Sequence, residues 1–220
     1  MKILHIETSS KNCSVAISDG EDLLCVCEEV SENYKQSESL HTFVEWALEG
    51  AEITLQDLDA VSLGMGPGSY TGLRIGASSA KGFCYGLKIP LIAVNSLETM
   101  IEPFLSQNFD YIIPLLDARR MEVYTAVFDG ISGNMITETE AKILDETSFQ
   151  EFKDKKVIFV GDGASKAKEI FQLPEAEFNA DVYPSAKYLI RKAVGKFNNK
   201  DFENVAYFEP FYLKEFQGVK

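Results

Sequence analysis

Histidine is scarce in this chain of 220 residues, which contains only His5 and His41. The two show neither the HxxxH nor the HExxH spacing of zinc sites. A serine triad also needs a histidine base, and neither histidine is flanked by a nucleophile elbow. The sequence therefore gives no catalytic residue and no metal ligand that we would name.

Cysteine pairs and long apolar runs are absent as well. Four cysteines (Cys13, Cys25, Cys27 and Cys84) form no CxxC pair, and Cys25 and Cys27 are predicted to pack on one face of a strand. No apolar stretch reaches the roughly 18 residues of a membrane helix, and the first seven residues are typical of a strand rather than a signal peptide. We expect a cytoplasmic protein without membrane contact.

Basic residues are few: Lys and Arg total 21 against 34 Asp and Glu, which gives a net charge of −13. Tight binding of nucleic acid needs several Lys or Arg on phosphates, so we expect RNA contact only through a partner. The local exception is a helix predicted after Pro184, with a basic stripe that we interpret as a solvated face (Lys187, Arg191, Lys192 and Lys196).

The first part of the chain is predicted to be a strand meander followed by alternating helix and strand. This layout indicates a ribonuclease-H-like lobe. The predicted strands cover 2–6, 13–18, 23–30, 60–63 and 91–94, and the predicted helices cover 37–50 and 71–87.

A second set of elements begins at Tyr111, with a boundary near Glu102 and Pro103. We therefore predict an α/β protein of two lobes, 1–102 and 103–220, the second shortened and with its last residues packing back on the first. Its predicted strands cover 111–116, 122–128, 142–144 and 156–160, and its helices 146–152, 164–171 and 185–198. The charged stretch 117–122 forms either a site or a hairpin turn whose charges pair with each other.

The most distinctive segment is the glycine-rich run from Gly64 to Gly76, between a predicted strand and a predicted helix. Such a turn points backbone N–H groups at the positive end of a helix dipole and can hold a phosphate. It has no P-loop lysine after Gly72, and Thr71 stands where the dinucleotide fingerprint needs glycine. Phosphate binding and a purely structural turn both stay open; the candidate nucleotide-binding residues are Glu7, Thr8, Gly66, Gly68 and Ser69.

The helix after this turn carries small residues at Gly72, Gly76, Ala80 and Cys84, one every four positions. A glycine inside a helix costs about 1 kcal/mol relative to alanine. Close approach of another helix would offset that cost, since small residues shorten the interaxial distance. The neighbouring helix could belong to the same chain or to a partner.

Several segments together resemble the TsaB (YeaZ) family. They are Ile3 to Ser10 with Cys13 to Ala16, GMGPGSYTGLRIG (64–76), Val94-Asn95-Ser96, DARRMEVY (117–124), Gly161 to Ala164, and Pro210 to Leu213. The resemblance implies a two-lobed member of the actin, Hsp70 and sugar-kinase superfamily. It further implies a shortened relative and obligate partner of TsaD, the metal-dependent subunit that transfers a threonylcarbamoyl group to N6 of adenosine 37 in tRNA, with the ATPase TsaE joining the complex.

The chain departs from TsaD where the resemblance places the metal. TsaD holds its metal with two histidines in a segment similar to V-N-H-M-E-G-H, and the matching residues here include Ser96 and Met100. Neither is a good ligand for a hard or borderline divalent ion. Glu7 also stands where superfamily ATPases carry Asp. We therefore predict an accessory subunit without catalytic residues, metal or cofactor, with ATP or ADP only at a partner interface.

We expect the first helix and the glycine helix to pack against a TsaD-type partner, and to form a homodimer when that partner is absent. Two alternatives stay open: an ATP-binding protein of the kinase-like superfamily, and a metallopeptidase of the glycoprotease type, after the older naming of such sequences. The predicted partner-binding residues are Leu40, Val44, Leu48, Gly72, Arg74, Ile75, Gly76, Ala80 and Phe83.

Overall fold

The computed structural model describes residues 1–31 and 36–214. These divide into two compact units. Unit one comprises Met1–Thr99 together with the described residues from Pro184 onward, and unit two comprises Met100–Tyr183. The predicted division assigned everything after residue 102 to the second lobe and returned only its last residues to the first. In the structure that return already begins at Pro184.

Each unit begins with consecutive strands and continues with alternating strands and helices. The strands are β1 (Lys2–Glu7), β2 (Asn12–Asp19), β3 (Asp22–Val30), β4 (Ala60–Gly64), β5 (Leu91–Val94), β6 (Tyr111–Asp117), β7 (Glu122–Thr125), β8 (Phe128–Asp129), β9 (Glu140–Ile143), β10 (Val157–Val160) and β11 (Ala176–Asn179). The α-helices are α1 (Gln36–Gly50), α2 (Tyr70–Leu87), α3 (Ser96–Ile101), α4 (Ala164–Ile170) and α5 (Ile190–Asn198).

Unit one is built on a five-stranded sheet in the order β3-β2-β1-β4-β5. β2 runs antiparallel to both of its neighbours, whereas β1, β4 and β5 are parallel. Side chains alternate between the two faces of these strands. One face packs against α1 and α2 through residues such as Leu4 and Val61. The other packs against α5 and the 3-10 turn Ala186–Leu189 through residues such as Ile3 and Ile92.

Unit two repeats this strand order. From β9 the order is β9-β7-β6-β10-β11, with β6, β10 and β11 parallel and β7 antiparallel to both of its neighbours; β8 adds a short pairing to β6. Its core holds a group of aromatic rings with centroids 5.0 to 6.0 Å apart, formed by Phe149, Phe159, Phe171 and Phe178. The prediction of a two-lobed α/β fold is confirmed.

Some predicted elements are wrong. The helix expected over 146–152 is a single 3-10 turn at Gln150–Phe152, and α3 and β11 were not predicted. Among the described residues, none of the helices has the length and apolar character needed to cross a membrane.

Candidate functional site

The glycine-rich turn joins β4 to α2 and is held by the chain's own polar groups. The Ser69 backbone N–H donates to the Ser9 carbonyl oxygen (2.6 Å), and Ser69 Oγ caps α2 by accepting from the Gly72 N–H (3.3 Å). The Gly66 N–H donates to Ser96 Oγ (3.1 Å), and the Ser96 N–H donates to the Gly66 carbonyl (2.9 Å). Three N–H donors of the turn, those of Gly66, Ser69 and Gly72, are therefore already engaged.

Glu7 lies fully buried at the end of β1, beside this turn. Its Oε1 accepts from the Ser9 N–H (2.7 Å) and its Oε2 from Ser96 Oγ (2.9 Å). Burial raises the pKa of the Glu7 carboxyl, although the hydrogen bonds from Ser9 and Ser96 act in the opposite sense. A Cβ added to Gly64 would collide with this carboxyl, so glycine is needed there to admit it.

The loop after β1 packs against the turn. Thr8 Oγ1 donates to the Gly72 carbonyl (2.8 Å), and a Cβ added to Gly68 would collide with the Ser9 main chain. The structure thus brings the candidate nucleotide-binding residues Glu7, Thr8, Gly66, Gly68 and Ser69 together. It bonds four of them to neighbours in the chain and packs Gly68 against Ser9. This arrangement favours the structural interpretation of the glycine turn.

The small-residue stripe of α2 faces inward. Gly72, Gly76 and Ala80 are buried, and a Cβ added to either glycine would collide with Thr8. On α1, the side chains of Leu40, Val44 and Leu48 belong to the core of unit one. The prediction that these six residues form an exposed docking face is wrong, because they pack within their own unit.

The opposite side of α2 is exposed and also carries small residues. Ser78, Gly82 and Gly86 recur every four positions on it, and a Cβ added to either glycine would meet no atom within 4 Å. Arg74 is exposed there, Ile75 and Phe83 are half-buried, and the Tyr85 side chain is 84% exposed.

Helix α1 lies beside this surface. His41 Nε2 and Ser79 Oγ are 3.3 Å apart, and the rings of His41 and Phe83 lie with centroids 5.9 Å apart. We call this surface the outer α1–α2 face, defined by His41, Arg74, Ile75, Ser78, Ser79, Gly82, Phe83, Tyr85 and Gly86.

The charged turn between β6 and β7 is held by hydrogen bonds from a lysine on α4. Lys166 Nζ donates to Asp117 Oδ1 (2.8 Å) and to the carbonyls of Arg120 (3.0 Å) and Glu122 (2.6 Å). Arg119 and Arg120 both have left-handed backbones, with φ of 70° and 52°. Sequence reasoning missed Lys166, because the spacing along the chain does not show which helix meets this turn.

Two residues, Ser96 and Met100, stand where the resemblance to TsaD would place metal-binding histidines, and both pack in the interior. Ser96 and Met100 are both fully buried, and Ser96 is bonded to Glu7 and Gly66. Within the described residues, no group of three or more His, Cys, Asp or Glu is placed to hold a metal ion.

The remaining candidate residues, His5 and lysines of the basic stripe, make contacts within the chain. His5 is fully buried, with its ring nitrogens 3.0 Å from Ser62 Oγ and 2.9 Å from Ser18 Oγ. Three lysines of the predicted basic stripe pair with carboxylates in unit one, consistent with a solvated face: Lys187 with Glu28 (2.7 Å), Lys192 with Glu98 (2.6 Å) and Lys196 with Asp201 (3.0 Å).

The repeated sheet order defines an α/β protein of the actin, Hsp70 and sugar-kinase type. A solved structure of this fold is the activator of 2-hydroxyisocaproyl-CoA dehydratase from Clostridium difficile with bound ADPNP, at a TM-score of 0.53 and 11% identity, covering 93% of this chain and 99% of that one. Agreement is closer with YeaZ from Pseudomonas aeruginosa, at a TM-score of 0.82 and 25% identity, covering 96% and 100%.

The chain belongs to the TsaB (YeaZ) family. The tRNA threonylcarbamoyladenosine biosynthesis protein TsaB of Bacillus subtilis is 32% identical over 178 residues, 78% of this chain and 76% of that protein. The protein of the same name from Buchnera aphidicola subsp. Schizaphis graminum is 30% identical over 86% of this chain and 90% of its own length. Residues 26–215 also match the family described as TsaD: tRNA N6-adenosine threonylcarbamoyltransferase.

Proposed function

We propose that this chain is a non-catalytic subunit of the assembly that makes N6-threonylcarbamoyladenosine in tRNA, and that it binds a TsaD-type protein through the outer α1–α2 face. The names of its relatives support the pathway, and the match to the TsaD family supports a partner of related fold. The observation that carries the docking surface is the pair of uncovered glycines, Gly82 and Gly86.

These two glycines weaken α2 without an internal reason. Each costs about 1 kcal/mol relative to alanine, and each has open space where a side chain would stand. A helix from another protein could approach closely over Ser78, Gly82 and Gly86 and bury the exposed backbone. Arg74 and Tyr85 beside them are residue types that dominate binding energy at protein interfaces.

The absence of catalysis is proposed from the residues that replace TsaD's ligands. Ser96 and Met100 are buried, and Ser96 serves to hold Glu7 and the glycine turn. A hydroxyl and a thioether are poor ligands for a hard divalent ion. We propose that the chain works without a metal or nucleotide of its own, and that ATP or ADP is held only together with the partner.

The wider assembly follows from the same assignment. We propose that a TsaE-type ATPase joins the complex, that tRNA is contacted mainly by partners, and that the outer α1–α2 face pairs two copies of this chain when the TsaD-type protein is absent. We propose that this work takes place in the cytoplasm, in keeping with the names of the relatives as proteins of tRNA modification.

The docking proposal is tested by Gly82→Leu, with Gly195→Leu as the matched control. Both glycines lie in exposed helical positions with no atom within 4 Å of an added Cβ, but Gly195 is on α5, across the sheet. We expect Gly82→Leu to weaken co-purification with the TsaD-type partner by at least about tenfold, because the leucine separates the two helices. The control should bind like the unchanged chain.

Reconstituted tRNA threonylcarbamoylation completes the test. Omitting this chain should abolish product, and Gly82→Leu should lower it in parallel with binding. Equal retention of the two leucine variants on the partner would show that α2 is not the docking surface. Micromolar binding of ATP to the isolated chain, measured by calorimetry, would instead support the kinase-like alternative.

A further inference from the structure

A C-terminal strap, residues 203–212, crosses unit one from the edge of its sheet to the glycine turn. Its first residue, Glu203, donates its N–H to the Leu91 carbonyl on β5 (2.9 Å), and Phe211 donates its N–H to the Met65 carbonyl (2.8 Å). Between them, Lys81 Nζ on α2 donates to the carbonyls of Ala206 (3.2 Å) and Phe208 (3.1 Å). The strap is therefore fixed at both ends and in the middle.

An open cavity of about 730 Å³ lies between the strap and Met65. Its lining includes the aromatic residues Tyr207, Phe211 and Tyr212 and the acidic residues Glu203 and Glu209. Lysine and arginine are absent from its lining, and neither carboxylate has an ion-pair partner among the described residues. The lining is thus aromatic and carries two acidic residues and no basic one, and the nearby Lys81 ammonium is engaged by the carbonyls of Ala206 and Phe208.

Two aromatic rings of the lining differ in their surroundings. The Tyr212 ring lies with its centroid 5.0 Å from that of Tyr70, which itself lies under the Arg74 guanidinium at 4.2 Å. Tyr207 is 84% exposed, so most of its ring contacts nothing in its own chain. The Tyr212 ring is already positioned and loses little conformational freedom when a ligand binds, whereas the Tyr207 ring is exposed and accessible to one.

We propose that this cavity receives an arginine or lysine side chain of a partner protein. The faces of aromatic rings attract a cation, and two unpaired carboxylates add to that attraction. The lining also includes the apolar residues Met65 and Phe208, which match the aliphatic stem of such a side chain. A small inorganic cation would leave those apolar residues uncovered, and an anionic ligand would be repelled by both carboxylates. The cavity is separate in its residues from the outer α1–α2 face, so the proposal does not depend on the proposed function.

The test uses the full chain, labelled with nitrogen-15, and two short peptides. One has the sequence Ala-Arg-Leu-Arg-Ala with blocked ends, and the other carries citrulline, the neutral isostere, in place of each arginine. We expect the arginine peptide to shift the backbone amide signals of Tyr207, Glu209 and Phe211, and the citrulline peptide to bind about five- to tenfold more weakly.

Substitutions inside and outside the cavity test whether the peptide binds there. Tyr207→Ala and Glu209→Gln should each weaken binding of the arginine peptide by about fivefold. Tyr85→Ala, which removes a tyrosine of the same exposure outside the cavity, and Glu175→Gln, an exposed carboxylate of unit two, should leave it unchanged. Equal binding of the citrulline peptide, equal loss in the control variants, or no signal change at millimolar peptide would each overturn the proposal.

Discussion

His5 and Glu7 lie two residues apart on β1 and are both fully buried, and burial favours the neutral form of each side chain. Burial lowers the pKa of the His5 imidazole to about 3 and raises the pKa of the Glu7 carboxyl. Both side chains therefore serve as buried hydrogen-bonding groups inside the first sheet rather than as exposed acid–base residues.

His5 should make the protein sensitive to acid. Because its pKa in the folded state lies below the value of 6.5 of the unfolded chain, its contribution to stability is complete above about pH 6.5 and is lost as the pH falls toward 3. Between about pH 7.5 and pH 5 this site should lower the free energy of unfolding by about 2 kcal/mol. Urea denaturation at the two pH values measures the change.

The matched variants are His5→Gln, which keeps polar groups near Ser62 and Ser18, and His41→Gln on the surface of α1. Between the two pH values, the free energy of unfolding of His5→Gln should fall by about 2 kcal/mol less than that of the unchanged chain. His41→Gln should lose as much as the unchanged chain. An undiminished loss in His5→Gln would show that the acid sensitivity arises elsewhere. Glu7 shifts stability in the opposite direction with pH, and it contributes equally to all three chains.

At the scale of elements, α2 has two stripes of small residues that differ in what surrounds them. Gly76→Ala should destabilise the protein by at least about 1 kcal/mol, because the added methyl group meets Thr8 and lies 3.1 Å from Leu63 Cδ1. Gly82→Ala should stabilise it by up to about 1 kcal/mol, because the helix gains propensity and the space is open. Thermal unfolding followed by circular dichroism measures both, and a destabilising Gly82→Ala would contradict the assignment of the outer α1–α2 face.

The strands of the first sheet could be predicted from the sequence, but the side of α2 that is buried could not. Strands β1 to β5 have clear alternating or continuous apolar patterns between turn residues, so all five were predicted. The four-residue spacing of Gly72, Gly76 and Ala80 is matched by that of Ser78, Gly82 and Gly86, and only the distant contact with Thr8 decides which stripe is buried. Helix α3 was missed because six residues hold too little of a helical period.

At the scale of the whole molecule, charge limits what the chain binds alone. Its net charge is −13 and three lysines of its basic stripe are paired with carboxylates. We expect the isolated chain to bind tRNA no more tightly than about 10 μM at physiological salt, since its 34 acidic residues exceed its 21 basic ones and repel the phosphates. Electrophoretic mobility shift with unmodified tRNA tests this, and retention at nanomolar protein would contradict it. Addition of the TsaD-type partner should restore binding.

The return of the chain to unit one at Pro184 has a consequence for its synthesis. Unit two is one continuous stretch, from Met100 to Tyr183, so it can fold once that stretch has left the ribosome. The first sheet must wait longer, because Ala186, Leu189 and Ala193 cover its second face and are translated afterwards. Unit one thus completes its folding after unit two, although its first residues are synthesised earlier; the usual order is that the N-terminal part folds first. A chain that stops before α5 would present an uncovered apolar sheet to chaperones and proteases.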